Sequence, residues 1–357
     1  SILRQQIKTR VEGWDLSPSE HDCVKVRVEA SGFTANRKAI LRALKSGFSQ
    51  YSLYDDGPRI DHLYISADYQ RNAVAQRVQE LVNAMQWDFG GAELWPVSSL
   101  EVIEALSQAD GSTGWVLMAA GLCIGTGAAY IAPGPASKLF DNRPTIVSGH
   151  GAPLGRAEVE GDGFRLSGNW SYASGVLHAH YIHTGGIVHE GGVPRIDAAT
   201  GEPEFRVFVL PVGDARLLEN WDVLGLRATG SIDYSIDSAL VPEGYSHLQH
   251  IKTPNVGGDL YKLGIFGFSN IGHTGFALGV GRRLLDELAA IARAESARPF
   301  VLPQQGGGES FQELFGNAEA KFRAARALVF EAWSGMEQAL GQIGPIPTRR
   351  FTMIRLA

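Results

Sequence analysis

At 357 residues, 44% hydrophobic and 20% charged, the chain is long enough for two or three structural units around a large core and too apolar for disorder. A formal net charge of −6 without any basic run excludes the clustered Lys and Arg of a nucleic-acid-binding surface. Two cysteines, Cys23 and Cys123, cannot build a disulfide framework, no Cys/His cluster offers a metal site, and the first residues lack the apolar core of a signal peptide, so a reducing cytoplasm is expected.

Residues 1–65 form an N-terminal segment of mixed charge, glycine and short apolar pieces, in which 22–29 alternates like a strand. From 67 to 85, Val74, Val78, Leu81, Val82 and Met85 fall at helical spacing. Residues 89–94 read as a loop, and 98–108 as a helix with Val102, Ile103 and Leu106 turned inward. A helix over 111–132 completes a helical unit, 66–135. Residues 111–135 carry no charge and are long enough to cross a bilayer. Their richness in Gly and Ala, with breaks at Gly121, Gly125 and Gly127, and the helix-start signal of Asp110 and Ser112 favour a buried helix over a membrane span.

Composition changes after Pro135. Residues 136–255 are rich in Val, Ile, Tyr and Gly, with turn signals at Glu160-Gly-Asp-Gly163, His189-Glu-Gly-Gly192 and Ala199-Thr-Gly-Glu202. This is a β domain, with strands expected at 164–170, 181–186, 205–211 and 232–241. Helical spacing resumes over 256–357. Phe276, Leu278, Leu284, Leu285, Leu288 and Ile291 form one expected stripe, and Phe315, Phe322, Leu328 and Met336 another, across a flexible loop at Gln304 to Gly308. Two long helices leave an apolar face without a partner, so further residues or another chain should cover it.

Two segments of the β domain carry the most chemistry. Gly168-Asn-Trp-Ser-Tyr-Ala-Ser-Gly175 reads as a strand ending in a Ser-Gly corner, a cradle for a planar ring. Trp221-Asp-Val-Leu-Gly-Leu-Arg-Ala-Thr-Gly-Ser231 is a sharp turn that opens the next strand. With Ala109-Asp-Gly-Ser-Thr-Gly-Trp-Val116 upstream, the three segments resemble, in order and spacing, the acyl-CoA dehydrogenase fold superfamily, and within it the two-component flavin-dependent monooxygenases. The resemblance covers roughly residues 85–357. It implies an α+β fold with an N-terminal helical domain, a central β-barrel or sandwich domain and a C-terminal helical bundle, here incomplete.

The resemblance also assigns roles. Such enzymes use reduced flavin and O2, by way of a C4a-hydroperoxyflavin, to oxygenate an aromatic or polycyclic small molecule, and they exclude water to slow its decay. Ser174 would face flavin N5. Trp170 and Tyr172, read as sharing one face of their strand, would wall the ring. Ser148 and Gly149, in a stretch ending at Pro153-Leu-Gly155, would bind the pyrimidine edge. His150 is the candidate acid or base, because an imidazole titrates near neutrality. Trp115 would face the substrate. Cys123 stands where many relatives carry a histidine, which points away from simple phenol deprotonation. Arg298 would reach flavin phosphate from a neighbouring subunit.

No Gly-x-Gly-x-x-Gly lies between a strand and a helix, so electrons should come from a separate flavin reductase that delivers reduced FMN, or FAD, by diffusion. The resemblance further implies a homotetramer, and the charge and composition above imply neither a nucleic-acid nor a membrane partner. Two other readings stand beside it: a dehydrogenase of the same fold, which would need a catalytic carboxylate at the flavin, and a flavin-free scaffold subunit.

Overall fold

The computed structural model of the chain describes residues 93–140, 145–296, 309–342 and 344–357, together with the backbone of four short strands nearer the N-terminus. These are Val26–Arg27 (β1), Leu53–Tyr54 (β2), Gly57–Ile60 (β3) and His62–Leu63 (β4), with β1 pairing β4 and β2 pairing β3. β1 lies inside the alternating stretch 22–29. The helix expected at 67–85 and the loop at Gln304 to Gly308 fall outside the described residues.

Three helices come first: Pro96–Ala109 (α1), Gly111–Tyr130 (α2) and Pro133–Phe140 (α3). Proline opens α1, where its missing N–H costs nothing. Asp110 starts α2 by accepting from the Thr113 backbone N at 3.0 Å and from its Oγ1 at 2.7 Å, an N-cap worth about 1 kcal/mol. The helix start expected at Asp110 is thus where α2 begins. By length and composition α2 is able to cross a membrane, but 78% of its most apolar window is buried inside the protein. Its neighbours approach closely because glycine lines the contacts: a Cβ at Gly114 would lie 2.0 Å from Ser107 Oγ of α1.

The central sheet follows. Its strands are Val147–Ser148 (β5), Gly155–Glu160 (β6), Gly163–Ala173 (β7), Tyr181–Glu190 (β8), Val193–Pro194 (β9), Phe205–Pro211 (β10), Arg216–Leu217 (β11), Ile232–Pro242 (β12) and Ser246–Leu248 (β13). The order is β11-β12-β7-β6-β8-β10-β13, with β5 and β9 also paired to β8. β5 and β6 both run parallel to β8 and share one of its edges, so the loop 149–154 between them lies over the middle of that strand. The expected turns sit where positive φ is needed, at Gly161 (60°), Gly191 (58°), Gly192 (86°) and Gly201 (74°).

The sheet's core is built around Trp170, 1% exposed, which stacks on Tyr234 at 5.3 Å and donates its Nε1–H to Gly185 O at 2.9 Å. Two glycines clear its space, since a Cβ at Gly155 or Gly168 would sit 2.4 or 2.7 Å from the indole, and Gly185 makes room for the 149–154 loop, where a Cβ would lie 2.3 Å from Gly151 O. Burial of a side chain this large contributes about 3 kcal/mol.

The chain ends in Gly264–Ser296 (α4), Glu309–Leu340 (α5) and Thr348–Leu356 (α6). α4 crosses α1 through small residues, a Cβ at Gly279 falling 2.3 Å from Glu104 O. Its expected stripe splits into two faces. Leu278 and Leu285 are buried, whereas Leu284, Leu288 and Ile291 are exposed, as is Val280. On α5, Met336 is buried and Leu328 exposed.

Behind the sheet, His183 and His247 are each 2% exposed, and His183 Nε2 lies 3.2 Å from Thr126 Oγ1 of α2. The Thr126 hydroxyl donates to Leu122 O, so His183 Nε2 donates to it. Burial pushes His183 down to about 3, with His247 beside it adding to the shift, and pushes His247 down to about 4. The unfolded chain binds these protons at an ordinary pKa near ~6.5. Their contribution to stability is therefore complete above that value and is lost as pH falls toward the folded values. We expect urea unfolding to show about 2 kcal/mol less stability per histidine at pH 5 than at pH 7, and His183→Gln to remove about half of that dependence. A flat profile over this range would refute the neutral buried pair.

Candidate active site

The site forms where β7 ends. Between Trp170 and Ala173 this strand takes three steps while its partner β12 takes two, from Tyr234 to Ile232, so β7 carries one extra residue. Tyr172 absorbs the bulge at φ 68°, a left-handed conformation that costs an aromatic residue about 1–3 kcal/mol and that concentrates at functional positions. Its backbone N donates to Asp233 Oδ1 at 3.2 Å. The bulge breaks the two-residue alternation. Trp170 points into the core, and Tyr172, 64% exposed, points out with Trp221 packed edge-on at 6.2 Å. The expected common face for Trp170 and Tyr172 is therefore corrected, and only Tyr172 is placed to wall a ligand.

Ser174 then turns inward, 5% exposed. Its Oγ accepts from Trp115 Nε1 of α2 at 2.8 Å and lies 2.7 Å from Ser231 Oγ. Ser231 Oγ lies 2.6 Å from Thr229 Oγ1, which donates to Leu226 O at 2.9 Å. Gly175, at φ 79°, ends the corner: its N donates to Thr229 O at 2.8 Å, and a Cβ there would lie 2.9 Å from Val116 Cγ1. The Ser-Gly corner, the α2 start and the turn before β12 are thus one hydrogen-bonded unit.

The 148–150 segment abuts it. Ser148 Oγ donates to Ser174 O at 2.7 Å. Gly149 has φ 147° and lies against His183, a position no other residue fills without strain. The backbone N of His150 donates to Tyr234 Oη at 3.1 Å, and the Tyr234 hydroxyl donates to Thr184 Oγ1 at 2.7 Å, so the buried Trp170–Tyr234 stack positions this loop. His150 Nδ1 is buried without a hydrogen-bond partner. Burial holds the His150 pKa below the ordinary histidine value, with the Ser171 backbone acting in the opposite sense, which leaves a neutral imidazole able to take a proton.

One residue that the sequence reading did not single out joins the group. His273 of α4 packs edge-on against Trp115 at 5.5 Å, and Phe276, one turn on, does the same at 4.9 Å. His273 Nδ1 donates to Ser269 O at 2.8 Å, which leaves Nε2 as the ring nitrogen without that bond. The i, i+3 pairing of His273 and Phe276 on one helix face was the available signal.

Of the expected residues, Ser148, Gly149, His150, Trp115, Tyr172 and Ser174 thus come together. Cys123 does not join them. It is 4% exposed among Ala120, Ile124, Val147 and Val209, and burial pushes its thiol up to about 12, so it is a core residue rather than a substrate contact. Arg298 lies outside the described residues. A separate cavity of about 610 Å³, lined in part by Lys252, Phe266, Asn270, Phe351 and Arg355 between α4 and α6, shares no lining residue with this group.

No protein-family model matches the chain. Over 275 residues it is 32% identical to the indole-3-acetate monooxygenase of Pseudomonas putida, an alignment that takes in 75% of this chain and spans 66% of that protein's length. Its fold matches the 3-HSA hydroxylase of Rhodococcus sp. RHA1 with a TM-score of 0.70 at 18% identity, covering 90% of this chain and 80% of the other. XiaF from Streptomyces sp., solved in complex with FADH2 and glycerol, matches with a TM-score of 0.69, also at 18% identity, over 89% and 80% of the two chains.

Proposed function

Because the chain belongs to the acyl-CoA dehydrogenase fold superfamily, in the branch of two-component flavin-dependent monooxygenases, we propose that it is an oxygenase component that uses reduced flavin and O2 to oxygenate an aromatic small molecule. The observation that carries this reading is the hydrogen-bonded corner at Ser174, tied to Trp115 on one side and to Ser231 on the other. Its surroundings fit a planar ligand with a polar edge. His150 Nδ1 is buried and orphaned, and the exposed Tyr172 and Leu177 offer apolar walls at the rim. Bound there, reduced flavin supplies the two electrons that activate O2.

The chain's own residues would divide the remaining work. Ser174 and Ser148 hold the polar edge of the ring, Trp115 and Phe276 shape the substrate side, and Tyr172 shields the site from water, which strengthens every polar contact inside it. His150 or His273 takes the proton that the substrate releases. Two carboxylates beside the group are held by hydrogen bonds: Asp110 caps α2, and Asp233 accepts from the Tyr172 backbone and from Asn220. FMN is the proposed flavin and a separate reductase its source. A homotetramer, in which a neighbouring copy covers Val280, Leu284, Leu288 and Ile291, completes the proposal.

The test supplies reduced FMN through a flavin reductase under isotopically heavy O2, with indole-3-acetate and a panel of indoles and phenols. One heavy oxygen atom per product molecule is expected. Flavin oxidation that yields hydrogen peroxide and no labelled product with any of them would overturn the reading.

A further inference from the structure

The hydroxyl chain at the site has a direction, and the direction follows by elimination. A carbonyl oxygen only accepts, so the single proton of Thr229 Oγ1 goes to Leu226 O at 2.9 Å. Thr229 must then accept from Ser231 at 2.6 Å, and Ser231 in turn from Ser174 at 2.7 Å. Indole N–H only donates, so Trp115 fills one lone pair of Ser174 Oγ at 2.8 Å. Ser174 is left with its proton committed and one lone pair free. Toward any ligand at this corner it is an acceptor and not a donor.

From this we infer that Ser231 and Thr229 are positioning residues that fix Ser174 as a hydrogen-bond acceptor and so make the site select the reduced flavin. The inference rests on the flavin reading above. Reduced flavin carries an N–H at N5, where the oxidised ring has a bare accepting nitrogen. An acceptor-only Ser174 pairs with the first and faces the second lone pair to lone pair. The selectivity would then reside less in Ser174 itself than in two hydroxyls that touch no ligand. Both are buried, Ser231 at 3% and Thr229 at 1% exposure, so water does not compete for their bonds. A single carbonyl, Leu226 O, sets the polarity of the whole chain. It stands on a residue held at φ 56°, a backbone conformation that leucine rarely adopts.

The test is a pair of anaerobic titrations, with oxidised FMN and with dithionite-reduced FMN, and with FAD in parallel, on the wild type and on Thr229→Val, Ser231→Ala and Ser231→Thr. In Ser231→Ala the Ser174 proton has lost its acceptor and turns toward the ligand. In Thr229→Val the Ser231 proton is released and the chain loses its fixed sense. We expect the ratio of reduced to oxidised affinity to fall about tenfold in both, from tighter oxidised binding as well as weaker reduced binding. For this two-electron couple that equals a drop of about 30 mV in the bound midpoint potential. Ser231→Thr keeps the hydroxyl and should keep the ratio. A merely structural role would weaken both forms alike. An unchanged ratio in Thr229→Val and Ser231→Ala, with melting temperatures near wild type, would overturn the inference and leave the flavin reading standing. Failure of the wild type to bind either form of FMN or FAD would overturn both.

Discussion

Gly149→Ala is expected to be among the most destabilising single-methyl additions in the chain. At φ 147° the backbone is in a region that favours glycine, and the new Cβ would lie 2.3 Å from His183 O and 3.0 Å from His183 N and C, all of them backbone atoms of a central strand. Conformational strain of about 1–3 kcal/mol and overpacking of about the same size act together. The sum, about 2–6 kcal/mol, is a large share of the 5–15 kcal/mol that an average domain has. Urea unfolding followed by tryptophan fluorescence should show it as a fall in midpoint at constant slope. Gly213→Ala is the control: nothing lies within 4 Å of its Cβ, its φ is not positive, and the change should stay within about 0.5 kcal/mol. Equal midpoints for the two variants would mean that loop 149–154 does not lie against β8 as described. Because Gly149 sits between Ser148 and His150, the same change should displace the proposed flavin edge, so flavin binding should weaken with stability.

Ser174→Ala carries the largest functional effect. The change removes the acceptor of Trp115 Nε1 and the donor to Ser231, and with them the contact proposed for the flavin edge. The half-buried Trp115 Nε1 loses its partner while Ser231 keeps its bond to Thr229, so the cost in stability is about 1–3 kcal/mol. The diagnostic effect is on coupling. A lost hydrogen bond of about 1.5 kcal/mol corresponds to about tenfold in rate or equilibrium. The ratio of product to hydrogen peroxide should therefore drop about tenfold. The measurement is the ratio of product to peroxide at constant O2. Ser174→Thr, which keeps the hydroxyl, should recover most of the coupling. Unchanged coupling in Ser174→Ala would remove Ser174 from the site, whatever happened to its stability.

Much of the fold is written in local pattern. The Val-, Ile- and Tyr-rich stretches within β7, β8, β10 and β12, the glycines at positive φ in their turns, and the Asp110 cap of α2 are all signalled within a few residues. The site is less legible because its defining contacts are distant in sequence. Trp115 and Ser174 are 59 residues apart, and Ser174 and Ser231 are 57 apart, so no periodicity relates them. The bulge at Tyr172 is invisible to a strict two-residue repeat, which is why Trp170 reads as a ligand wall and is instead the centre of the core. That role depends on Gly155 and Gly168, which stand on two different strands. Cys123 reads as a site residue because it lies two turns beyond Trp115 on one helix. The structure turns that part of α2 toward β5 and β10, into the core. α4 misleads for a related reason: Leu284 and Leu285 are neighbours in sequence and lie on different faces, one exposed and one buried.

Flavin at the Ser174 corner can be seen directly in a crystal structure of the protein with FMN, reduced in the crystal under anaerobic conditions. The isoalloxazine is expected against Tyr172, with a ring N–H within about 2.7–3.2 Å of Ser174 Oγ and His150 Nδ1 near its polar edge. Flavin seated instead in the cavity lined by Lys252, Phe351 and Arg355, with the Ser174 corner uncovered, would contradict it.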